Sequence, residues 1–344
     1  MSSRAPPIGG SVSPARSCAC CATPRTRLVD NTCRTKPTCR TLRFAFPALR
    51  FASRHERTNP DSQSMNTTSA APAPGDIRFV CLPADEDRGP SRIEYQWIRP
   101  ERTAAPLALF LHEGLGSIAM WRRWPRQLCD RLGMRGLVYS RPGYGRSTPR
   151  AREEKWPVDY LSRQACDVLP ALLDALGIDE MQRRRMWLIG HSDGGSIALL
   201  YAAAFPRQLA GAVVVAPHVF VEDVSVQGIE ETKRAYEQTD LREKLSRYHA
   251  DVDSAFYGWS DIWLAPAFRA WNIVEPLATI ERPLLAVQAH DDHYGTMAQL
   301  DAIGQAVKHA HLCKLPYGGH SPHRDAGEML DDAIVQFVLA HDRG

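Results

Sequence analysis

From residue 76 onward, the chain alternates short apolar runs with longer segments that carry apolar residues at helical spacing. The runs are continuous, which is typical of strands buried on both faces of a sheet. Strands that alternate with helices predict an α/β fold, a mostly parallel sheet with helices on both faces. Two earlier strands, Ile77–Leu82 and Arg92–Ile98, flank a polar turn and are predicted to pair antiparallel. The later predicted strands are Leu107–His112, Gly136–Ser140, Met186–Gly190, Gly211–Ala216, Leu284–Ala289 and His311–Leu315.

The stretch from Val219 to Glu275 interrupts this alternation. It predicts two helices, Gln227–Asp240 and Leu241–His249, followed by an aromatic stretch through Trp271. We therefore predict a core formed by residues 76–218 and 276–344, with residues 219–275 inserted as a helical lid over one edge of the sheet. The helices predicted for the core are Trp121–Leu132, Tyr160–Leu176, Gly194–Phe205, Gln299–Val307 and Asp325–Ala340.

Residues 1–75 form a leader of different composition, rich in Pro, Ser, Thr, Arg and Ala, and we predict that it is disordered. Residues 1–64 hold 11 of the 42 basic residues, 3 of the 39 acidic residues and 5 of the 9 cysteines. An organellar transit peptide fits this composition. A zinc site is a second interpretation, although the cysteines lack paired C-x₂-C spacing. The interpretation we favour is an over-extended gene model with translation starting at Met65.

Composition also bounds the partners and the location of the protein. Without the leader the chain is mildly acidic, which argues against binding to nucleic acid. No apolar run approaches the roughly 18–20 residues of a membrane span. We therefore predict a cytoplasmic protein, or an organellar one if residues 1–64 are a transit peptide, with no nucleic-acid or membrane partner. The oligomeric state stays open.

The residues Gly190-His191-Ser192-Asp193-Gly194 match the pattern G-x-S-x-G between a predicted strand and a predicted helix. A nucleophile on such a tight turn needs small neighbours, because its backbone is strained and the chain reverses sharply. The positive end of the following helix favours an anionic intermediate nearby. The alternative is a glycine-rich turn with an incidental serine. We predict that Ser192 is a nucleophile.

A serine nucleophile requires a histidine to take its proton and a carboxylate to orient that histidine. In this architecture the chain order is serine, acid, histidine. The strand ending at Ala289 is followed by His290-Asp291-Asp292-His293, and His320 and His323 follow the strand ending at Leu315. Both groups lie beyond strand carboxyl ends, where ligands bind in open α/β sheets. The run His290–His293 is a poor metal site, since consecutive residues converge on one ion with difficulty, so we predict no metal.

Five motifs in order resemble the α/β-hydrolase superfamily, in its serine-nucleophile branch of esterases and C–C hydrolases. They are Leu111–Ser117, Ser140–Ser147, Gly190–Gly195, Ala289–Asp292 and Gly319-His320. The resemblance covers about residues 77–340 and implies a triad of Ser192, His320 and Asp292, with Asp291 as the fallback acid because Ala289 replaces a frequent glycine. It also argues against the dehalogenase and epoxide-hydrolase branches, which use an aspartate nucleophile.

An acyl-transfer site also needs backbone N–H donors for the oxyanion. One donor is expected at Asp193, the residue after the nucleophile. The resemblance puts the other at Gly114, with Leu115 as the alternative, although Glu113 stands where the family usually has glycine. The Asp193 side chain has two interpretations: it stabilises the turn or helix start, or it accepts hydrogen bonds from a substrate amine or hydroxyl. His112 is interpreted as a residue that braces the loop.

The insertion carries six aromatic residues within a short stretch, which either line an acyl pocket or build the core of a small lid. We predict Trp259, Trp263 and His218 as substrate-binding residues. No phosphate-binding glycine motif follows a strand, so no nucleotide and no other cofactor is expected. The sequence thus predicts a serine hydrolase of a small-molecule acyl substrate, namely a carboxylic ester, thioester or lactone. The alternatives are a C–C bond hydrolase of aromatic ring-fission products and a non-catalytic receptor or scaffold.

Overall fold

The computed structural model describes residues 76–84 and 89–342. The predictions of a disordered leader and of a start at Met65 lie outside these residues. The strands are β1 Arg78–Leu82, β2 Ser91–Ile98, β3 Leu107–Leu111, β4 Arg135–Tyr139, β5 Met186–His191, β6 Gly211–Val215, β7 Leu284–Ala289 and β8 His311–Leu315. The α-helices are α1 Trp124–Leu132, α2 Tyr160–Arg163, α3 Leu169–Ala175, α4 Glu180–Arg184, α5 Asp193–Ala204, α6 Asp223–Gln238, α7 Leu241–Ser246, α8 Val252–Trp263, α9 Ala298–Ala306, α10 Pro322–Asp325 and α11 Gly327–His341.

The strands form one eight-stranded sheet in the order β1-β2-β4-β3-β5-β6-β7-β8. Strand β2 runs antiparallel to both β1 and β4, and every other pairing is parallel. Every residue of β3, β5, β6 and β7 is buried, as expected for central strands that helices cover on both faces. The predicted mostly parallel α/β sheet is therefore confirmed.

Successive side chains of the central strands enter two separate cores, because neighbouring residues of a strand point to opposite faces. Leu109 and Leu188 pack in the core that also holds α3 and α5. Phe110 and Ile189 pack in the core beneath α1 and α11. Helix α5, which begins directly after Ser192, is buried along almost its whole length and is fixed against the centre of the sheet.

Several helix boundaries differ from the predictions. The predicted helix Tyr160–Leu176 contains a π-helical segment at Gln164–Val168. Pro170 lies just beyond it and has no N–H to donate to the carbonyl four residues earlier, which disturbs the α-helical ladder. The last predicted helix, Asp325–Ala340, corresponds to α11, which begins at Gly327, and the separate short helix α10 before it was not predicted. The short helix α4 was not predicted, and a capping box between Asp179 and Gln182 starts it.

Helices α6, α7 and α8 lie between β6 and β7, at the position of the predicted insertion. Several of its aromatic side chains are buried, and the rings of Tyr236 and Phe256 stack with centroids 3.6 Å apart. These residues belong to the same core as the neighbouring face of the sheet. That the insertion acts as a lid, with the limits 219–275, stays a prediction. In the described parts of the chain, no helix is long and apolar enough to cross a membrane.

Candidate active site

Ser192 lies on a sharp turn between the end of β5 and the start of α5. Its backbone has φ of 53°, in the left-handed region that is unfavourable for a side chain other than glycine. A Cβ on Gly190 would collide with the Gly194 carbonyl, and one on Gly194 would collide with the Leu111 carbonyl. The close approach of these backbones therefore requires glycine on both sides of the serine, as the sequence pattern predicts.

The structure brings Ser192, His320 and Asp292 together. The His320 Nε2 atom lies 2.9 Å from the Ser192 Oγ atom. Its Nδ1 atom lies 3.0 Å from both carboxylate oxygens of Asp292. Because a carboxylate only accepts hydrogen bonds, the proton of the neutral imidazole is on Nδ1 and the Nε2 lone pair faces the hydroxyl. The Asp292 carboxylate also accepts a hydrogen bond of 2.9 Å from the backbone N–H of Tyr294.

Asp291 and His323, the neighbouring candidates for the acid and the base, contact other groups. The Asp291 carboxylate is exposed and accepts a hydrogen bond of 2.8 Å from the backbone N–H of Gly319. The His323 ring packs on Trp121 and Trp124, with centroid distances of 5.3 and 5.1 Å. Neither side chain is placed to serve Ser192.

The charges of the three groups suit proton transfer. Burial lowers the pKa of His320, although the Asp292 carboxylate opposes this effect, so the imidazole is neutral at pH 7 and free to accept a proton. Burial alone would raise the pKa of Asp292, but the nearby His320 and the Tyr294 N–H favour the carboxylate and lower it to about 2. The carboxylate is therefore charged throughout the physiological range.

A cavity of about 220 Å³ opens beside Ser192 and His320. The expected oxyanion residues, Gly114 and Asp193, and the alternative Leu115 all line it, as do the three predicted substrate-binding residues. Several other lining residues were not predicted as pocket residues, because they lie on four different segments and the sequence does not show that these segments meet. These are Glu113, Ile229, Tyr294, Ser321 and Arg324.

In two of the predicted pocket residues a ring nitrogen is bonded to a protein partner. His218 Nε2 lies 3.1 Å from the backbone carbonyl of Tyr294, which makes it the donor, and its ring packs edge-on against Trp263 at 5.1 Å. Trp263 Nε1 donates to the Tyr160 hydroxyl at 2.9 Å and to Asp193 Oδ1 at 3.2 Å. The indole of Trp259 packs so close to Gly114 that a Cβ there would collide with it. These rings therefore form a mainly apolar wall.

The Asp193 side chain lies in the first turn of α5, is buried and belongs to a polar network. Its Oδ2 atom accepts from the Tyr160 hydroxyl at 2.9 Å and lies 3.5 Å from the Arg141 guanidinium. Arg141 and Asp193 side chains are each 1% exposed. Protein groups thus already donate hydrogen bonds to this carboxylate. That it also binds a substrate amine or hydroxyl stays a prediction. Arg141 lies in the motif Ser140–Ser147, but the sequence predicted no role for either Arg141 or Tyr160.

The described residues contain no group of three or more His, Cys, Asp or Glu side chains arranged to hold a metal ion. His290–His293 follows the extended end of β7, and His290 and Asp291 are exposed while Asp292 turns toward His320. The absence of a metal and a cofactor remains a prediction from the sequence.

The sheet order, the turn at Ser192 and the acid and histidine beyond β7 and β8 define the α/β-hydrolase fold. The model of the alpha/beta hydrolase family matches residues 108–333, and the chain therefore belongs to this family. The membership confirms the resemblance on which the sequence analysis relied.

The chain is 29% identical over 210 residues to the mouse protein "Serine hydrolase BPHL", covering 57% of this chain and 66% of that relative. It is 30% identical over 136 residues to mouse "Epoxide hydrolase 4", covering 38% of this chain and 34% of that relative. The chain thus spans less than two thirds of either relative's length. Among solved structures it resembles the enol-lactonase from Burkholderia xenovorans LB400, with a TM-score of 0.55 and 18% identity over 72% of this chain and 97% of that one.

Proposed function

We propose that the protein is a serine hydrolase that cleaves a small carboxylic ester, thioester or lactone through an acyl-enzyme. The observation that carries this proposal is the position of His320, which lies within hydrogen-bond distance of Ser192 on one side and Asp292 on the other. This is the arrangement in which an imidazole takes the proton of a serine hydroxyl. The family membership and the similarity to a serine hydrolase support the same class.

The reaction proceeds in two half-reactions. The Ser192 Oγ atom attacks the carbonyl carbon while its proton passes to His320 Nε2. His320 then protonates the leaving alcohol or thiol, and the acyl group stays on Ser192. In the second half-reaction His320 accepts a proton from water, the resulting hydroxide attacks the acyl carbon, and the proton returns to Ser192 as the acid leaves. Asp292 holds the Nδ1 proton and stabilises the imidazolium in both halves.

The tetrahedral intermediates carry negative charge on the former carbonyl oxygen. We assign their stabilisation to the backbone N–H groups of Gly114 and Asp193, which line the cavity beside Ser192. The N-terminus of α5, directly after the serine, adds its partial positive charge.

The cavity supports a small acyl group. Its volume of about 220 Å³ is modest, and the rings of Trp259 and Trp263 line it. Trp263 Nε1 and His218 Nε2 are bonded to other protein groups, so the two Trp rings offer mainly apolar surface to the acyl chain.

A stopped-flow series with p-nitrophenyl esters from acetate to decanoate tests this function. We expect a burst of about one equivalent of p-nitrophenolate per protein molecule, because acylation precedes slower hydrolysis of the acyl-enzyme. We also expect kcat/KM to be highest for the short acyl chains and to fall once the chain exceeds the cavity. Hydrolysis with neither a burst nor an acyl adduct on Ser192 in the acid-quenched protein would contradict the acyl-enzyme, and the longest ester as the best substrate would contradict the preference for short chains.

A further inference from the structure

The peptide group that joins Glu113 to Gly114 is held at its carbonyl oxygen by two side chains. The Arg141 Nη2 atom donates to the Glu113 carbonyl at 2.8 Å. His112 Nδ1 lies 2.7 Å from the same oxygen. The Arg141 backbone N–H donates to His112 Nε2 at 3.0 Å, which fixes the ring tautomer with the proton on Nδ1. Both contacts to the carbonyl are therefore genuine donor–acceptor pairs.

Holding the carbonyl also orients the N–H of the next residue. A trans peptide is planar, and its C=O and N–H point in opposite directions. The described residues contain no cis peptide. The guanidinium, His112 and the backbone N–H of Gly116, at 3.0 Å, hold the Glu113 carbonyl at one edge of this peptide group. The Gly114 N–H therefore points from the opposite edge, and Gly114 lines the cavity next to Ser192.

The same guanidinium contacts the residue that carries the second donor. Its Nη1 and Nη2 atoms lie 3.5 Å from Asp193 Oδ2. Asp193 is further held by the Tyr160 hydroxyl at 2.9 Å. The guanidinium itself is held over the Tyr144 ring, 4.7 Å from its centroid. One buried cation thus bridges the two segments that supply the oxyanion donors, the loop after β3 and the start of α5.

We propose that Arg141 is the positioning residue of the oxyanion hole: its guanidinium aligns the Gly114 N–H through the Glu113 carbonyl and ties it to Asp193. This inference rests on the proposed function. Its physical basis is that oxyanion donors are effective only when they are aligned before the reaction. The positive charge behind the peptide also polarises it, which makes the Gly114 N–H a stronger donor.

The test compares Arg141→Gln with wild type in two measurements. For a short p-nitrophenyl ester we expect kcat to fall about tenfold to hundredfold, less than the 10²–10³-fold cost of losing an oxyanion donor outright, while KM changes less than about threefold. The second measurement uses a small trifluoromethyl ketone, labelled with ¹³C at the carbonyl carbon, which forms a hemiketal with Ser192. Titration by ¹³C NMR should give a higher pKa for the hemiketal hydroxyl in the variant. Its acid dissociation constant should be lower by about the same factor as kcat.

Two further variants separate positioning from folding. Arg141→Gln leaves the buried Asp193 carboxylate without its cation, so the double variant Arg141→Gln/Asp193→Asn restores neutrality and should retain the loss in kcat and the weaker hemiketal acid. Arg102→Gln is the matched control. Arg102 also donates to two backbone carbonyls, those of Cys129 and Met134 at 2.9 and 3.1 Å, but it lies outside the cavity. We expect it to leave kcat and hemiketal acidity unchanged.

An Arg141→Gln or double variant that folds and keeps the wild-type hemiketal acidity would overturn the inference, and so would an equal effect of Arg102→Gln. These outcomes are distinct from failure of the proposed function. In that case the wild-type protein itself would form no hemiketal at Ser192 and show no burst.

Discussion

Replacing Ser192 with alanine should lower kcat for ester hydrolysis by about 10⁶-fold, the largest effect that we expect from any single substitution. The substitution removes the only group that His320 Nε2 is placed to deprotonate, at 2.9 Å in the described part of the chain. Binding and the oxyanion donors would remain, so a residual rate about 10³–10⁴-fold above that in water is expected. Steady-state assays, with an active-site titration of the wild type, measure the ratio of the two kcat values.

His320→Ala provides the control for this prediction. Because the serine and the histidine act as one unit, the double variant Ser192→Ala/His320→Ala should be about as slow as either single variant. Losses that multiply in the double variant would indicate that the two residues act independently and would contradict a shared proton transfer between them. Ser192→Ala with near-wild-type kcat would show that another group is the nucleophile.

Replacing Asp292 with asparagine should lower kcat by about 10⁴-fold. The amide fills the same space, but its NH₂ group can donate to His320 Nδ1 and stabilise the tautomer with the proton on Nε2, which cannot accept the serine proton. The carboxylate also raises the pKa of His320 against the effect of burial. Its loss should therefore lower that pKa further and move the acidic limb of the kcat/KM profile to lower pH.

Asp291→Asn is the matched control, since the two carboxylates are adjacent in the chain. The Asp291 side chain is exposed and bonds the Gly319 backbone rather than His320. We expect a loss in kcat of less than about threefold and an unchanged acidic limb, because solvent screens an exposed carboxylate. If Asp291→Asn were the more damaging substitution, the assignment of the acid would be wrong.

The positions of Ser192, Asp292 and His320 could be predicted because each follows a strand that an apolar run reveals. Parallel strands bring their carboxyl ends to one edge of the sheet, so the chain order alone places the three groups near one another. The choice of Asp292 over Asp291 came from the resemblance to the family. Its physical reason is visible only in three dimensions, where the Asp291 carboxylate turns to the Gly319 N–H.

The network around Arg141 could not be predicted from the sequence. An arginine beside a glycine-rich loop is usually exposed, and nothing along the chain shows that Asp193, 52 residues later, neutralises it inside the protein. The same holds for Tyr160, whose hydroxyl donates a hydrogen bond to Asp193, 33 residues later in the chain. Trp263 was predicted as a pocket residue, but its hydrogen bond to Asp193 was not. Side-chain partners of this kind depend on how helices dock, which periodicity does not encode.

The measurement that tests the central claim most directly is labelling of the folded protein with a fluorophosphonate, followed by intact mass and peptide mapping. An activated serine reacts covalently with this probe, whereas an ordinary serine or a non-catalytic scaffold does not. We expect one adduct per molecule, located on Ser192, slowed by a competing short ester and absent from Ser192→Ala. A folded wild-type protein that takes up no probe, or takes it up at another residue, would contradict the claim that Ser192 is the nucleophile of a serine hydrolase.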